Sequence, residues 1–359
     1  METTTAAVPR IYPDTGPIED RIGIAMMRRT LTRSMPIVFN GLVVERTARC
    51  NAKCAMCYQG AGPKGSDEIG DVALSIADLT PAILAAGRRS DIHPRFHLTG
   101  GEAFLQMEDC LALFNVARES GFLDITSTTN AFWALTPARA DTVCAQLAQA
   151  GVTALEISWD VWHLPYISPA VIENCLIAAR SHDIDVNLRL LTTRTHTINE
   201  ALSTLSDDAL AAAHRISSGP VFPSGRAAKT LNRADLFTQG TLDDNCHTAL
   251  NLTVSANGRV SPCCAGVDQT DGLMLGDIHT EPLDQIVERM QGSPLLRALV
   301  FEGLGSLLPI LDRAGFAPPK DGYTSICHMC WAVFRDPERS AAIRAHFGMK
   351  TPTTGGAAP

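Results

Sequence analysis

The chain lacks an excess of positive charge, a membrane-length apolar run, a signal peptide and a rich aromatic content, and each absence removes a class of function. Its 359 residues carry 30 Lys and Arg against 38 Asp and Glu, a formal net charge of −8. A general nucleic-acid groove or an anionic-membrane surface needs concentrated positive charge, so neither partner is expected. No stretch approaches the roughly 18 apolar residues of a spanning helix, and the best candidate, 304–311, is less than half that length. The apolar cluster 22–27 is too short for a signal peptide and is followed by Arg28 and Arg29 with no small-residue cleavage site. Aromatic residues make up 6% of the chain, yet hydrophobic ones make up 45%, ample for a large core. What is abundant is cysteine. There are eleven, an odd number that disulfides alone cannot use, in a chain too long for a small stapled secreted module. A cytoplasmic protein using its cysteines for metal or redox chemistry is expected.

Between a small, polar start (1–16) and a similar tail from Lys350, strand-like and helix-like segments alternate from about residue 39 to 222. Strands are predicted at 39–46, 95–98, 123–127, 153–158, 185–191 and 215–221, as short apolar runs buried on both faces. Helices are predicted at 80–89, opened by Thr80-Pro81, and at 107–120, 137–150, 169–182 and 199–213. Six β/α units imply an α/β fold with an open, partial parallel barrel, whose chemistry sits in the loops after the strands. Beyond residue 222 a hairpin turning at Asn257-Gly258 and a helical, loop-rich segment make a smaller α+β unit. The expected organisation is an extension (1–38), the barrel (39–226), the second unit (227–347) and a tail (348–359).

After the first strand comes Cys50-x3-Cys54-x2-Cys57. Such a pattern is expected by chance in roughly 0.01 of chains with this cysteine content, so accident is a poor explanation. Three thiolates on one loop can hold three corners of an iron–sulfur cube and leave one iron open to a ligand. Zinc normally takes four ligands, and no fourth Cys or His lies within the loop. After the second strand comes Thr99-Gly100-Gly101-Glu102, where glycines let backbone approach a ligand and a carboxylate can accept from an amino group.

These residues resemble the radical S-adenosylmethionine (SAM) superfamily. The resemblance implies that Cys50, Cys54 and Cys57 ligate a [4Fe-4S] cluster whose open iron chelates SAM, and that Thr99, Gly100, Gly101 and Glu102 hold the SAM amino group. Reductive cleavage of SAM would then give a 5′-deoxyadenosyl radical that abstracts hydrogen from a substrate. Met56 replaces the aromatic residue often found before the third cysteine, with Tyr58 just after it, and Ala103 replaces a frequent proline. Arg189 sits where relatives often bind the SAM carboxylate, or is a structural arginine. Ser127 and Asn130 are expected near the ribose. The segment 223–227 resembles the Gly-Arg-Ala turn that often follows the sixth strand. Asp160 and His163, past the fourth strand, either form a catalytic pair that orients substrate or moves a proton, or are ordinary loop residues.

The C-terminal region holds Cys246-x11-Gly258-x4-Cys263, then Cys264, then Cys327-x2-Cys330. Four of these can ligate a second cluster, or a structural zinc. The spacing resembles a SPASM domain cut down to the single-cluster, twitch-like form, so Cys246, Cys263, Cys327 and Cys330 are its expected ligands. Cys264 is left as a hydrogen-atom donor to a substrate radical, a substitute ligand, or a packed thiol. Cys110, Cys144 and Cys175 fall in predicted helices as core residues. The expected function is C–H activation on a ribosomally synthesised peptide, by epimerisation or crosslinking. The competing readings are dehydrogenation or epimerisation of a small natural product such as an aminoglycoside sugar, and a non-catalytic iron–sulfur or zinc protein. A reducing partner such as flavodoxin or ferredoxin is implied. Only 49 residues precede Cys50, so any leader-binding domain is expected on a separate protein.

Overall fold

The computed structural model describes residues 35–221, 223–238, 250–263, 272–317 and 322–349. The expected N-terminal extension as far as residue 34, the tail from Lys350, Cys246 and Cys264 lie outside the described residues. Met1–Pro36 and Ile37–Pro359 are two units by their contacts, and every element named here belongs to the second.

Six parallel strands form the frame: β1 (Gly41–Glu45), β2 (Arg95–Thr99), β3 (Asp124–Thr129), β4 (Ala154–Ser158), β5 (Asp185–Thr192) and β6 (Arg215–Pro220). They stand in the order 6-5-4-3-2-1, and β6 does not return to β1, so the barrel is open. The crossovers are α1 (Ile76–Gly87), α2 (Met107–Glu119), α3 (Pro137–Gln149), α4 (Pro169–Ser181) and the short pair α5 (Ile198–Leu202) and α6 (Asp207–Ala212). Parallel strands need such crossovers, which is why the alternation is legible as an α/β fold.

Two helix expectations are corrected. Helix α1 begins at Ser75, not Thr80. Ser75 Oγ accepts from the Asp78 amide, and Asp78 accepts from the Ser75 amide at 2.9 Å, a reciprocal cap. Pro81 therefore lies inside the helix, where it leaves the carbonyl of the exposed Ala77 without a helical partner, a position that water can serve. The helix predicted over 199–213 is broken in two because Ser206 caps a new start, accepting from the Ala209 amide, while its own amide binds Glu173 at 2.6 Å.

The strands are also not apolar on both faces. In β4 and β5, buried Leu155, Ile157, Val186, Leu188 and Leu190 alternate with half-buried Glu156, Ser158, Asn187 and Arg189. The first set joins a core with helix residues such as Phe114, Leu147 and Ile172. The second set turns inward and bonds to itself. His97 contacts Thr126 and Thr128 hydroxyls at 2.8 and 2.9 Å, and Asn187 donates to Glu156 at 3.1 Å. Period-two alternation thus gives β2 to β5 an oily outer face and a polar inner one.

The hairpin β7 (Asn251–Val254) and β8 (Arg259–Ser261) forms about the expected Asn257-Gly258 turn, with Gly258 at φ +84°. It continues the barrel sheet, since β7 pairs in parallel with β1 and β8 pairs with β9 (Gly276–Asp277). Among the described residues five helices follow, and Leu295, Leu299, Met329, Val333 and Phe334 make a second core that includes Cys263 and Cys330. Among the described residues no helix is long and apolar enough to cross a membrane.

Moving the start of α1 to Ser75 has a measurable consequence. Ser75→Ala is expected to lower stability by about 1 kcal/mol, and Thr80→Ala by less than half of that. Urea midpoints at unchanged slope check it.

Candidate active site

The strands end on a cavity of about 400 Å³. On one wall are Cys50, Cys54 and Cys57, and on the others Thr99 to Glu102, Asn130, Asp160, His163 and Arg189. The structure thus brings together nearly every barrel residue singled out in the sequence.

Glycines join the first two loops. Gly101 and Glu102 amides donate to the Thr47 and Arg49 carbonyls at 2.7 and 2.8 Å, on the stem that leads to Cys50. A Cβ on Gly101 would lie 2.2 Å from the Arg49 carbonyl oxygen, and one on Gly100, at φ +144°, 2.6 Å from that of Thr47. The glycines are therefore required by the close approach of chain to chain, in addition to lining the cavity.

Glu102 is almost fully buried and accepts from the Asn130 amide (2.8 Å), the Thr129 hydroxyl (2.9 Å) and the Phe104 amide (3.2 Å). Burial pushes its carboxyl up to about 7 against the pull of those donors. His163 Nδ1 lies 2.8 Å from Asp160, and both are buried. Burial opposes charge on His163, but the Asp160 carboxylate and hydrogen bonds to Asp160 and Cys54 outweigh it and hold its pKa well above the usual value. The Arg189 guanidinium lies against Gly219, where a Cβ would come within 2.7 Å of it. Asn130 Nδ2 donates to Asn51 at 2.9 Å and approaches Cys50 Sγ at 3.8 Å.

Ser127 is placed differently from expectation. Its hydroxyl donates to the Leu98 carbonyl at 2.7 Å, and strand alternation turns it toward the helices, one residue out of step with Thr128 on the cavity wall. Several polar cavity residues escaped the sequence reading, among them His97, Thr128, Glu156 and Ser158. Burial pushes His97 down to about 4, so it is a neutral imidazole. Their signal was available: polar residues at one parity of consecutive strands.

The thiol loop suits an iron–sulfur cluster. The Ala52 amide points at Cys50 Sγ (3.4 Å), and the Ala61 and Gln59 amides favour a thiolate at Cys57, the donor pattern a sulfur-bound cluster uses. Burial lifts both Cys50 and Cys57 above the ordinary thiol range, so the metal-free loop holds protonated thiols that a metal must deprotonate. Among the described residues no three Cys, His, Asp or Glu side chains converge as ligands to a single metal ion. Of the expected auxiliary ligands, Cys263 follows β8, while Cys327 and Cys330 lie three apart on the helix Ile326–Arg335 and so share a face. Cys110, Cys144 and Cys175 are fully buried in α2, α3 and α4.

Known proteins share this outline. Residues 246–331 match the iron–sulfur cluster-binding domain family SPASM. The chain is 24% identical over 304 residues to the putative peptide biosynthesis protein YydG of Bacillus subtilis (strain 168), covering 82% of this chain and 92% of that one. Its fold resembles SuiB of Streptococcus suis bound to its precursor peptide SuiA (TM-score 0.54, 14% identity, 82% of this chain and 74% of that one). It also resembles a histidine-tagged form of anSMEcpe with bound S-adenosylmethionine (TM-score 0.53, 13% identity, 85% and 98%). The thiol loop, the Gly-Gly-Glu turn and the open barrel give this chain a likeness to the radical SAM enzymes, and its residues 246–331 match an iron–sulfur cluster-binding domain.

Proposed function

We propose that this enzyme epimerises a residue in a ribosomally synthesised peptide, with Cys264 returning hydrogen to the substrate radical. The observation that carries the reading is the match along 82% of the chain to a putative peptide biosynthesis protein, in a sequence with a spare cysteine beside the SPASM-region Cys263.

In this reading Cys50, Cys54 and Cys57 hold the first cluster, and Cys246, Cys263, Cys327 and Cys330 the second. Glu102 accepts from the SAM amino group beside Thr99, Gly100 and Gly101, Arg189 meets its carboxylate and Asn130 its ribose. When bound and given one electron, the cluster and SAM would supply methionine and a 5′-deoxyadenosyl radical able to take the Cα hydrogen of the substrate. Asp160 and His163 orient the peptide within the cavity they line. The Cys264 S–H bond then breaks as a new Cα–H bond forms on the opposite face. One electron and one proton from a reducing partner such as flavodoxin or ferredoxin restore the thiol.

Three measurements test this. Anaerobic reconstitution should give a broad absorbance near ~400 nm and deoxyadenosine from SAM plus dithionite, and replacing Cys50, Cys54 and Cys57 by Ala should remove about four irons and all deoxyadenosine. With a precursor peptide in D2O, Cys264→Ala should still make deoxyadenosine while solvent deuterium at Cα disappears, and normal deuterium entry would remove Cys264 from the role.

The third concerns pH. A carboxyl raised to about 7 is largely protonated below that pH and must lose its proton to accept from the SAM amino group. SAM affinity should therefore weaken up to about tenfold per unit as pH falls below 7. Glu102→Gln should bind SAM weakly and flatten that part of the profile, as read by isothermal titration calorimetry.

A further inference from the structure

We propose that Arg226 is the latch of the thiol loop, a positioning residue that fixes Cys54 and Cys57 on the cavity wall and sets the potential of the cluster they hold. The proposal rests on the iron–sulfur cofactor and is independent of the peptide reaction.

Arg226 stands in the turn after β6, within the segment 223–227, and is 5% exposed. Its guanidinium commits donors on all three nitrogens to the loop. Nε donates to Asp67 at 2.8 Å, Nη1 to the Cys54 carbonyl at 2.9 Å, and Nη2 to the carbonyls of Ala61 (2.8 Å) and Gly60. Its backbone amide adds the Cys57 carbonyl at 3.0 Å, and Thr230 Oγ1 takes that of Ala55 at 2.8 Å. Gly225, at φ +52°, makes the approach feasible, since a Cβ there would fall 1.8 Å from the Tyr58 carbonyl oxygen.

The consequence for sulfur follows from peptide geometry. In a trans peptide the C=O and N–H point in opposite directions. Drawing the Gly60 carbonyl toward Arg226 therefore aims the Ala61 amide the other way, and that amide hydrogen-bonds to the Cys57 sulfur. The guanidinium charge lies against the same loop, bonded to the Cys54 carbonyl while the Arg226 amide holds that of Cys57. A fixed cation and an N–H···S bond both stabilise the extra electron of a reduced cluster. Lysine could supply the charge but not the fork that gathers three carbonyls.

The test compares Arg226→Gln and Arg226→Lys with the wild type. In the metal-free chain, iodoacetamide should alkylate Cys54 and Cys57 at least about fivefold faster in Arg226→Gln, because the loop opens locally. This arm reads the latch whatever the cluster does. In reconstituted protein, the reduced fraction at a fixed potential should fall about tenfold, a shift of ~59 mV for a one-electron couple. Arg226→Lys should restore part of the potential while leaving the alkylation fast. Wild-type alkylation and potential in Arg226→Gln, or in Arg226→Lys should the first variant not fold, would overturn the proposal.

Discussion

The segment from Cys50 to Cys57 contains no helix or strand, so its shape is imposed by backbone hydrogen bonds from other parts of the chain. The Gly62 carbonyl takes the Cys50 amide, the loop after β2 takes the Thr47 and Arg49 carbonyls, and the turn after β6 takes those of Cys54, Ala55 and Cys57. Each tether spans a different sequence distance, and together they fix a piece of chain that has little conformational preference of its own. A loop built this way can meet a large inorganic group without a regular element in the way. It also depends on the β1–β2 register, because Val44 opposite Leu98 and Glu45 opposite Thr99 bring the two loops level.

The second constraint is the division of the central strands, β2 to β5, into two faces. Helices cover the outer face and make it the core, whereas the inner face carries hydroxyls, an imidazole, an amide and charged groups around a cavity. Those groups bond to one another across neighbouring strands, as His97 does to Thr126 and Thr128 and Asn187 does to Glu156. Buried polar side chains would otherwise cost stability, so the ladder keeps the inner wall tolerable while leaving it polar toward a ligand.

Much of this is legible in the sequence, for identifiable reasons. Cysteine spacing is a local constraint imposed by a metal, and it survives any detail of the fold. The alternation of strands and helices is set by repeated crossovers, so six units and an open barrel follow from counting. What escaped depends on competition or parity. Ser75 outranks Thr80 as a cap because Asp78 stands three residues on to return the hydrogen bond. Ser206 interrupts a helical pattern by offering a new cap. Ser127 and Thr128 differ by one residue and face opposite sides, which composition alone does not decide. The pairing of β7 with β1 is a long-range event, and nothing local in the sequence 250–261 announces it.

The electrostatics of the loop are uneven in a way that suits its chemistry. Cys50 is lifted by burial and then by the Glu102 carboxylate, whereas the Arg226 charge works against burial at Cys57. A carboxyl held near neutrality softens the first effect, because a protonated Glu102 no longer repels a thiolate. Loading the loop with iron would expel thiol protons and place negative charge beside Glu102, where the Ala52 amide serves Cys50, while the Arg226 guanidinium and the Ala61 and Gln59 amides serve Cys57. The site is therefore asymmetric before any cofactor enters, with its cationic support at the Cys54–Cys57 end and its acidic side at Cys50. In the proposed reading the amino group of SAM meets Glu102, on the side where the Gly-Gly turn brings the backbone close.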